Sequence, residues 1–245
     1  MAGSKSLDLG SKIIVALDVD TRGQALALVE ELPQARIVKI GLRLFSAEGP
    51  SLLEAAAGYG KQVFLDLKMH DIPHTVAGAV AVCASYGVFM LTLHASGGRE
   101  MMKRAAEAAA QAADKQGFPR PILLGVTILT SLKDAELVEV GMPADAAGQV
   151  LKLAHLARES GLDGIVCSPQ ELGVIRRELG REFLVVTPGI RPSWAAAGDQ
   201  KRILTPRQAI RQGADYLVIG RPIIASPSPG EAFQRIRQEL DSPDA

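Results

Sequence analysis

The stretch Gln62-Val63-Phe64-Leu65-Asp66-Leu67 runs into Lys68-Met69-His70-Asp71-Ile72 and then into Pro73-His74-Thr75-Val76-Ala77-Gly78-Ala79-Val80. Its first six residues are apolar almost throughout, the pattern of a parallel strand covered on both faces. From Pro73 to Tyr86 the pattern is helical, with Pro73 acceptable in a first turn. A buried strand, a short charged connection and a covering helix make one β/α unit. Asp66 and Lys68 are two apart, so in a strand they share a face, while Leu65 and Leu67 take the opposite one against the helices.

The same unit recurs in both directions along the chain. Strand-length apolar runs occupy residues 13–19, 37–42, 62–67, 89–93, 122–129, 164–167, 183–186 and 216–219. Helical patterns fill the intervals at 21–32, 46–57, 73–86, 99–115, 144–159, 169–179, 206–212 and 230–240. Gly161, Gly180 and Gly213 stand where helices should stop. Eight units without a long linker predict an α/β protein, a single (β/α)₈ TIM barrel over residues 1–245 with short flexible tails at 1–10 and 241–245. A doubly wound open sheet is the alternative. It is weakened because no G-x-G-x-x-G follows the first strand.

Composition narrows the function. The 245 residues are 47% apolar and 22% charged, ordinary for a globular chain with a large core. Lys plus Arg is 27 and Asp plus Glu is 27, so a general polyanion binder is excluded, and 4% aromatics argues against a base-stacking platform for nucleic acid. Residues 72–98 carry no Asp, Glu, Lys or Arg, but proline, glycines and many alanines interrupt them. They read as a buried helix and strand, not a membrane span. Residues 1–10 lack the apolar core of a secretory signal, and a cytoplasmic protein is expected. Cys83 and Cys167 lie far apart in apolar surroundings with no metal-ligand spacing and no adjacent base, and are expected to be buried thiols.

In a (β/α)₈ barrel the chemistry sits at the C-terminal ends of the strands. Those ends carry Asp18 and Asp20 on the first strand, Lys39 within the second, Asp66, Lys68, His70 and Asp71 on the third, and His94 on the fourth. Thr127, Thr130 and Ser131 follow the fifth strand. Asp66 and Lys68 point to the barrel axis and Lys39 on the neighbouring strand can do the same. A buried salt bridge that only fixes register is the plainer reading, yet several charges converging on the functional face favour catalysis. Gly189-Ile190-Arg191 and Gly220-Arg221 follow the last two strands, the usual phosphate position of this fold. Gln200 lies in a loop, 195–202, able to close over a ligand, whereas Lys201 and Arg202 read as solvated. His70 and His74 flank Asp71 without a further ligand set, so loop or helix-start roles are favoured over metal, and no metal site is expected.

Asp66-Leu67-Lys68-Met69-His70-Asp71-Ile72-Pro73-His74-Thr75 resembles the signature of the orotidine 5′-phosphate decarboxylase family. So do Ala16-Leu17-Asp18, Val38-Lys39-Ile40-Gly41, Leu129-Thr130-Ser131, Thr187-Pro188-Gly189-Ile190-Arg191-Pro192 and Ile219-Gly220-Arg221-Pro222-Ile223. The resemblance is to the compact bacterial form and spans nearly the whole chain in order. Its D-x-K-x-x-D core also occurs in Mg²⁺-dependent sugar-phosphate lyases, which typically carry an acidic metal ligand where this chain has Lys39.

The resemblance implies a lyase that converts orotidine 5′-phosphate to UMP and CO₂ without a cofactor, the last step of de novo pyrimidine nucleotide synthesis. It implies a homodimer with shared sites: Lys39, Asp66 and Lys68 from one subunit, Asp71 and Thr75 of the partner subunit. Asp18 and Lys39 would meet the ribose, Thr130 or Ser131 with Gln200 the pyrimidine, and Gln200, Arg191, Gly220 and Arg221 the phosphate, with Pro188 in the substrate-binding set. Alternating Lys39, Asp66, Lys68 and Asp71 suits a decarboxylation whose carbanion-like centre needs an ammonium nearby, with Lys68 delivering the proton to C6.

Overall fold

The computed structural model describes residues 9–195 and 204–241. Gln200, nearly all of the loop at 195–202 and most of both predicted tails lie outside the described residues. Leu9–Lys12 form a short 3₁₀ helix, and the last helix, Pro229–Asp241, runs to the final described residue.

Eight parallel strands close into a barrel in chain order, as expected: β1 (Ile13–Ala16), β2 (Ile37–Gly41), β3 (Gln62–Met69), β4 (Met90–His94), β5 (Ile122–Val126), β6 (Gly164–Val166), β7 (Leu184–Thr187) and β8 (Tyr216–Ile219). The open-sheet alternative is thereby excluded, because β1 pairs with both β2 and β8.

The two-residue strand period sorts side chains into two apolar layers. Ile14, Ile37, Phe64, Met90, Leu124 and Val186 fill the barrel interior. Alternate residues such as Val15, Val38, Leu65 and Leu91 pack outward into a larger core against the helices. Two positions further along the inward rows, apolar residues give way to Lys39 after Ile37, Asp66 after Phe64 and Thr92 after Met90. The barrel axis is therefore dry in its middle and polar at its C-terminal mouth.

Most helices form where periodicity places them, with local chemistry setting their limits. Thr21 caps Arg22–Glu31 through a capping box with Gln24. The predicted helix at 46–57 is instead two, Leu42–Glu48 and Ser51–Gly58. The break falls at Gly49, whose φ is +68°, and Pro50, which has no N–H to continue the first helix. Asp145 caps Ala146–Glu159, and two short helices, Asp134–Glu139 and Arg221–Ile224, add to the predicted set. Below β3, the buried Lys61 ammonium donates to the Leu32 carbonyl at 2.7 Å and to that of Ala35 at 2.8 Å, tying off the chain after the first helix.

Candidate active site

A row of alternating charge crosses the mouth of the barrel from β1 to β3. Lys39 Nζ lies 3.2 Å from Asp18 Oδ1 and 3.6 Å from Asp66 Oδ2. Lys68 Nζ donates to both Asp66 oxygens, at 2.9 and 2.8 Å. Lys39 and Asp66 side chains are each 11% exposed, while Lys68 is 37% exposed and reaches toward the opening. Burial alone would raise the Asp66 carboxyl pKa. The charges of Lys39 and Lys68, with hydrogen bonds from Lys68 and Thr92, outweigh burial and hold it below its ordinary value. Gly41 leaves the space that Lys39 occupies: a Cβ there would stand 3.0 Å from Lys39 Nζ.

The backbone beneath this row is irregular. Pairing between β3 and β4 runs Phe64↔Met90 and Leu65↔Leu91, then resumes at Met69↔Leu93. Four steps on β3 are taken against two on β4, so Asp66, Leu67 and Lys68 all face the single residue Thr92. Lys68 adopts φ +51°, the one non-glycine residue with positive φ among the described residues. That conformation costs an L-residue about 1–2 kcal/mol. The fully buried Thr92 hydroxyl accepts from Lys68 N at 2.9 Å and donates to Asp66 Oδ1 at 2.9 Å. β3 is consequently two residues longer than the predicted 62–67, and its bulge carries both Asp66 and Lys68.

Above the dry interior lies a cavity of about 260 Å³. Asp18, Lys39, Asp66 and Lys68 line it together with Gly189, Arg191, Gly220 and Arg221, and Gly220 stands next to Asp18. Thr130 and Pro188 also line it, and Phe64, Val166 and Val218 form an apolar floor. Gly189 has φ +77°, a turn that favours glycine and carries the chain to Arg191. The cavity thus joins a lysine–carboxylate cluster to two arginines suited to an oxyanion such as phosphate.

The family model described as the orotidine 5′-phosphate decarboxylase / HUMPS family matches residues 11–236. The chain belongs to this family. Within the orotidine 5′-phosphate decarboxylase / HUMPS family, a protein named orotidine 5′-phosphate decarboxylase from Nostoc sp. is 50% identical over 230 residues, covering 94% of this chain and 97% of its own. One of the same name from Nitrosococcus oceani is 51% identical over 233 residues, covering 95% and 98%. A solved structure, orotidine 5′-phosphate decarboxylase from Lactobacillus acidophilus, superposes with a TM-score of 0.82 at 37% identity, covering 95% of this chain and all of that one.

Not every residue that the family resemblance singles out meets in one chain. Asp71 and Thr75 are exposed and stand outside the cavity lining; Asp71 Oδ1 instead accepts from Ile72 N at 2.6 Å. Thr130 lines the cavity, while Ser131 is exposed and does not. His94 is half-buried, 5.3 Å from the His70 ring, and does not line the cavity. Burial, then His70 and Lys68, lower its pKa against the opposing pull of Asp66. His74 sits exposed in the first turn of Pro73–Ala84. No group of three or more His, Cys, Asp or Glu residues gathers as a cation site among the described residues. Both cysteines are buried, and burial pushes the Cys83 thiol up to about 11 and raises that of Cys167 as well, so neither offers a ready thiolate. No helix among the described residues is long and apolar enough to cross a membrane.

Thr92 was invisible to motif reading because it sits as one hydroxyl in an apolar strand. Its inward position, two residues before His94, was the available signal. The apolar floor carries no motif either, since Phe64, Val166 and Val218 read as ordinary strand core.

Proposed function

We propose that this single-domain barrel is a cytoplasmic enzyme that decarboxylates orotidine 5′-phosphate to UMP and CO₂ without a cofactor, with Lys68 as proton donor to C6. The observation that carries the reading is the Asp18–Lys39–Asp66–Lys68 row and two arginines lining one small cavity. Family membership and the names of the half-identical relatives support the substrate.

Arg191 and Arg221, with the backbone at Gly189 and Gly220, hold the phosphate. Asp18 and Lys39 meet the ribose hydroxyls. Thr130 or Ser131 with Gln200 meets the pyrimidine beside Pro188, and Gln200 also meets the phosphate. The base then lies with C6 toward Lys68. As the C6–CO₂ bond breaks, its electron pair stays on C6 and CO₂ departs. The Lys68 ammonium stabilises the growing negative charge and gives C6 a proton, leaving a neutral amine that solvent reprotonates. Asp66 holds and aims the Lys68 ammonium, and its repulsion of the substrate carboxylate is relieved as CO₂ leaves. Phosphate binding contributes remotely by organising the closed site.

A homodimer completes this site. The exposed Asp71 and Thr75 serve the neighbouring subunit, and a second hollow of about 290 Å³, lined by Gly41, Leu42 and Arg43 beside Lys68, offers their entry. Asp71 of the partner subunit then extends the row to a Lys–Asp–Lys–Asp quartet. A Mg²⁺-dependent sugar-phosphate lyase is the competing reading. It is disfavoured because the Lys39 ammonium stands between Asp18 and Asp66, where a bridging dication would need to be.

The test follows the ultraviolet absorbance of orotidine 5′-phosphate with and without EDTA. Equal loss of the substrate spectrum in both supports the reading. No loss, or loss that EDTA abolishes, overturns it.

A further inference from the structure

We propose that Thr92 is a positioning residue for this reaction: its hydroxyl holds the β3 bulge in the one arrangement that puts the Lys68 ammonium on Asp66. The inference rests on the decarboxylase reading above.

Three observations meet at this side chain. The register slip leaves a three-residue segment of β3 opposite Thr92 alone, so the ladder supplies no regular partner for the Lys68 backbone there. Lys68 N bonds instead to Thr92 Oγ1, at 2.9 Å. The same oxygen donates its proton to Asp66 Oδ1, at 2.9 Å. One hydroxyl therefore acts as acceptor to the residue bearing the reactive ammonium and as donor to the carboxylate that orients it. Both roles are needed at once, and only a group that accepts and donates supplies them.

The strain gives the arrangement its consequence. A lysine at φ +51° keeps that backbone only while its surroundings hold it, and among the described residues Thr92 is the one side chain bonded to the Lys68 backbone. Without the hydroxyl, the part-buried Lys68 N loses its acceptor, and the bulge gains by relaxing. The Lys68 side chain then leaves its doubly bonded position on Asp66, and the ammonium no longer points where C6 lies. Thr92 is fully buried beneath the cavity and does not line it, so ligand contacts do not depend on it directly.

The experiment compares Thr92→Val, which keeps shape and removes the hydroxyl, with Thr92→Ser, which keeps the hydroxyl and removes a methyl. Thr92→Val is expected to lower kcat by about 10- to 100-fold, the loss of two hydrogen bonds around a charged pair. UMP affinity should stay within about threefold, since the phosphate and ribose contacts are elsewhere. The acid limb of the kcat/KM profile should move to higher pH, because Asp66 loses a donor to its charged form. Thr92→Ser should restore kcat to within about fivefold of the unmodified protein. Should Thr92→Val fail to fold, Thr92→Cys replaces it, with kcat expected well below that of Thr92→Ser because a thiol is a weak donor and acceptor. Unchanged kcat in Thr92→Val, equal impairment in Thr92→Ser and Thr92→Val, or Thr92→Cys matching Thr92→Ser would each overturn the assignment. If the unmodified protein does not turn over orotidine 5′-phosphate, the decarboxylase reading fails instead, which separates the two.

Discussion

The Lys68 ammonium grips both oxygens of one carboxylate, Asp66, at 2.8 and 2.9 Å, although the two residues belong to the same strand and are only two positions apart. In a regular strand such neighbours run side by side; here the bulge and the left-handed Lys68 backbone turn one onto the other. Asp66 also faces Lys39, so one buried carboxylate lies between two ammonium groups, with Asp18 on the far side of Lys39. Asp66→Asn is expected to lower kcat/KM by at least about 100-fold while the protein still melts cooperatively. Ultraviolet assay of orotidine 5′-phosphate with a parallel thermal melt checks it; near-normal kcat/KM would remove Asp66 from the catalytic set.

Acidification should act on stability through His94. Burial and nearby positive charge lower its pKa from the ordinary 6.5. A base with a lowered folded pKa takes up its proton more readily unfolded. Its stabilising effect is therefore full above pH 6.5 and lost progressively as pH falls from 6.5 through the folded value. Melting temperature should decline over that window, and His94→Gln should decline less. Parallel slopes for both proteins would contradict the assignment.

Arg221 lines the cavity. Arg221→Ala should weaken UMP by about 10- to 100-fold and uridine by less than about twofold, since a charge-assisted bond is lost only with the phosphate. Calorimetry of the two ligands reads the difference. Equal losses would place Arg221 outside the phosphate grip.

The exposed Asp71, missing from its own chain's cavity, leads to a test by mixing. Lys68→Ala and Asp71→Ala proteins should each be inactive, and after subunit exchange a hybrid dimer should contain one intact site. Activity up to about one quarter of normal is expected for statistical hybrids with one intact site of two. Absence of recovery after proven exchange would contradict a shared site.

How far this was readable beforehand depended on whether a feature repeats or arises once. The closed barrel was legible because the apolar strand pattern recurs eight times, and the inward direction of Lys39 and Asp66 followed from a period of two. That Arg191 and Arg221 reach the barrel mouth was legible from Gly189-Ile190-Arg191 and Gly220-Arg221 at the ends of β7 and β8. The β3 bulge was not, since periodicity assumes one residue per step and Asp66-Leu67-Lys68 breaks that count against β4. The split at Gly49-Pro50 lay in plain view, but the apolar face continues across it and masked the break. Thr92 owes its partners to the bulge, so it emerged only with the register.

Proton delivery to C6 by Lys68 stands or falls with the turnover of Lys68→Ala. The variant should retain the barrel's circular dichroism spectrum and cooperative melting, while turnover of orotidine 5′-phosphate falls by at least about 1,000-fold. Turnover near that of the unmodified protein would contradict the account.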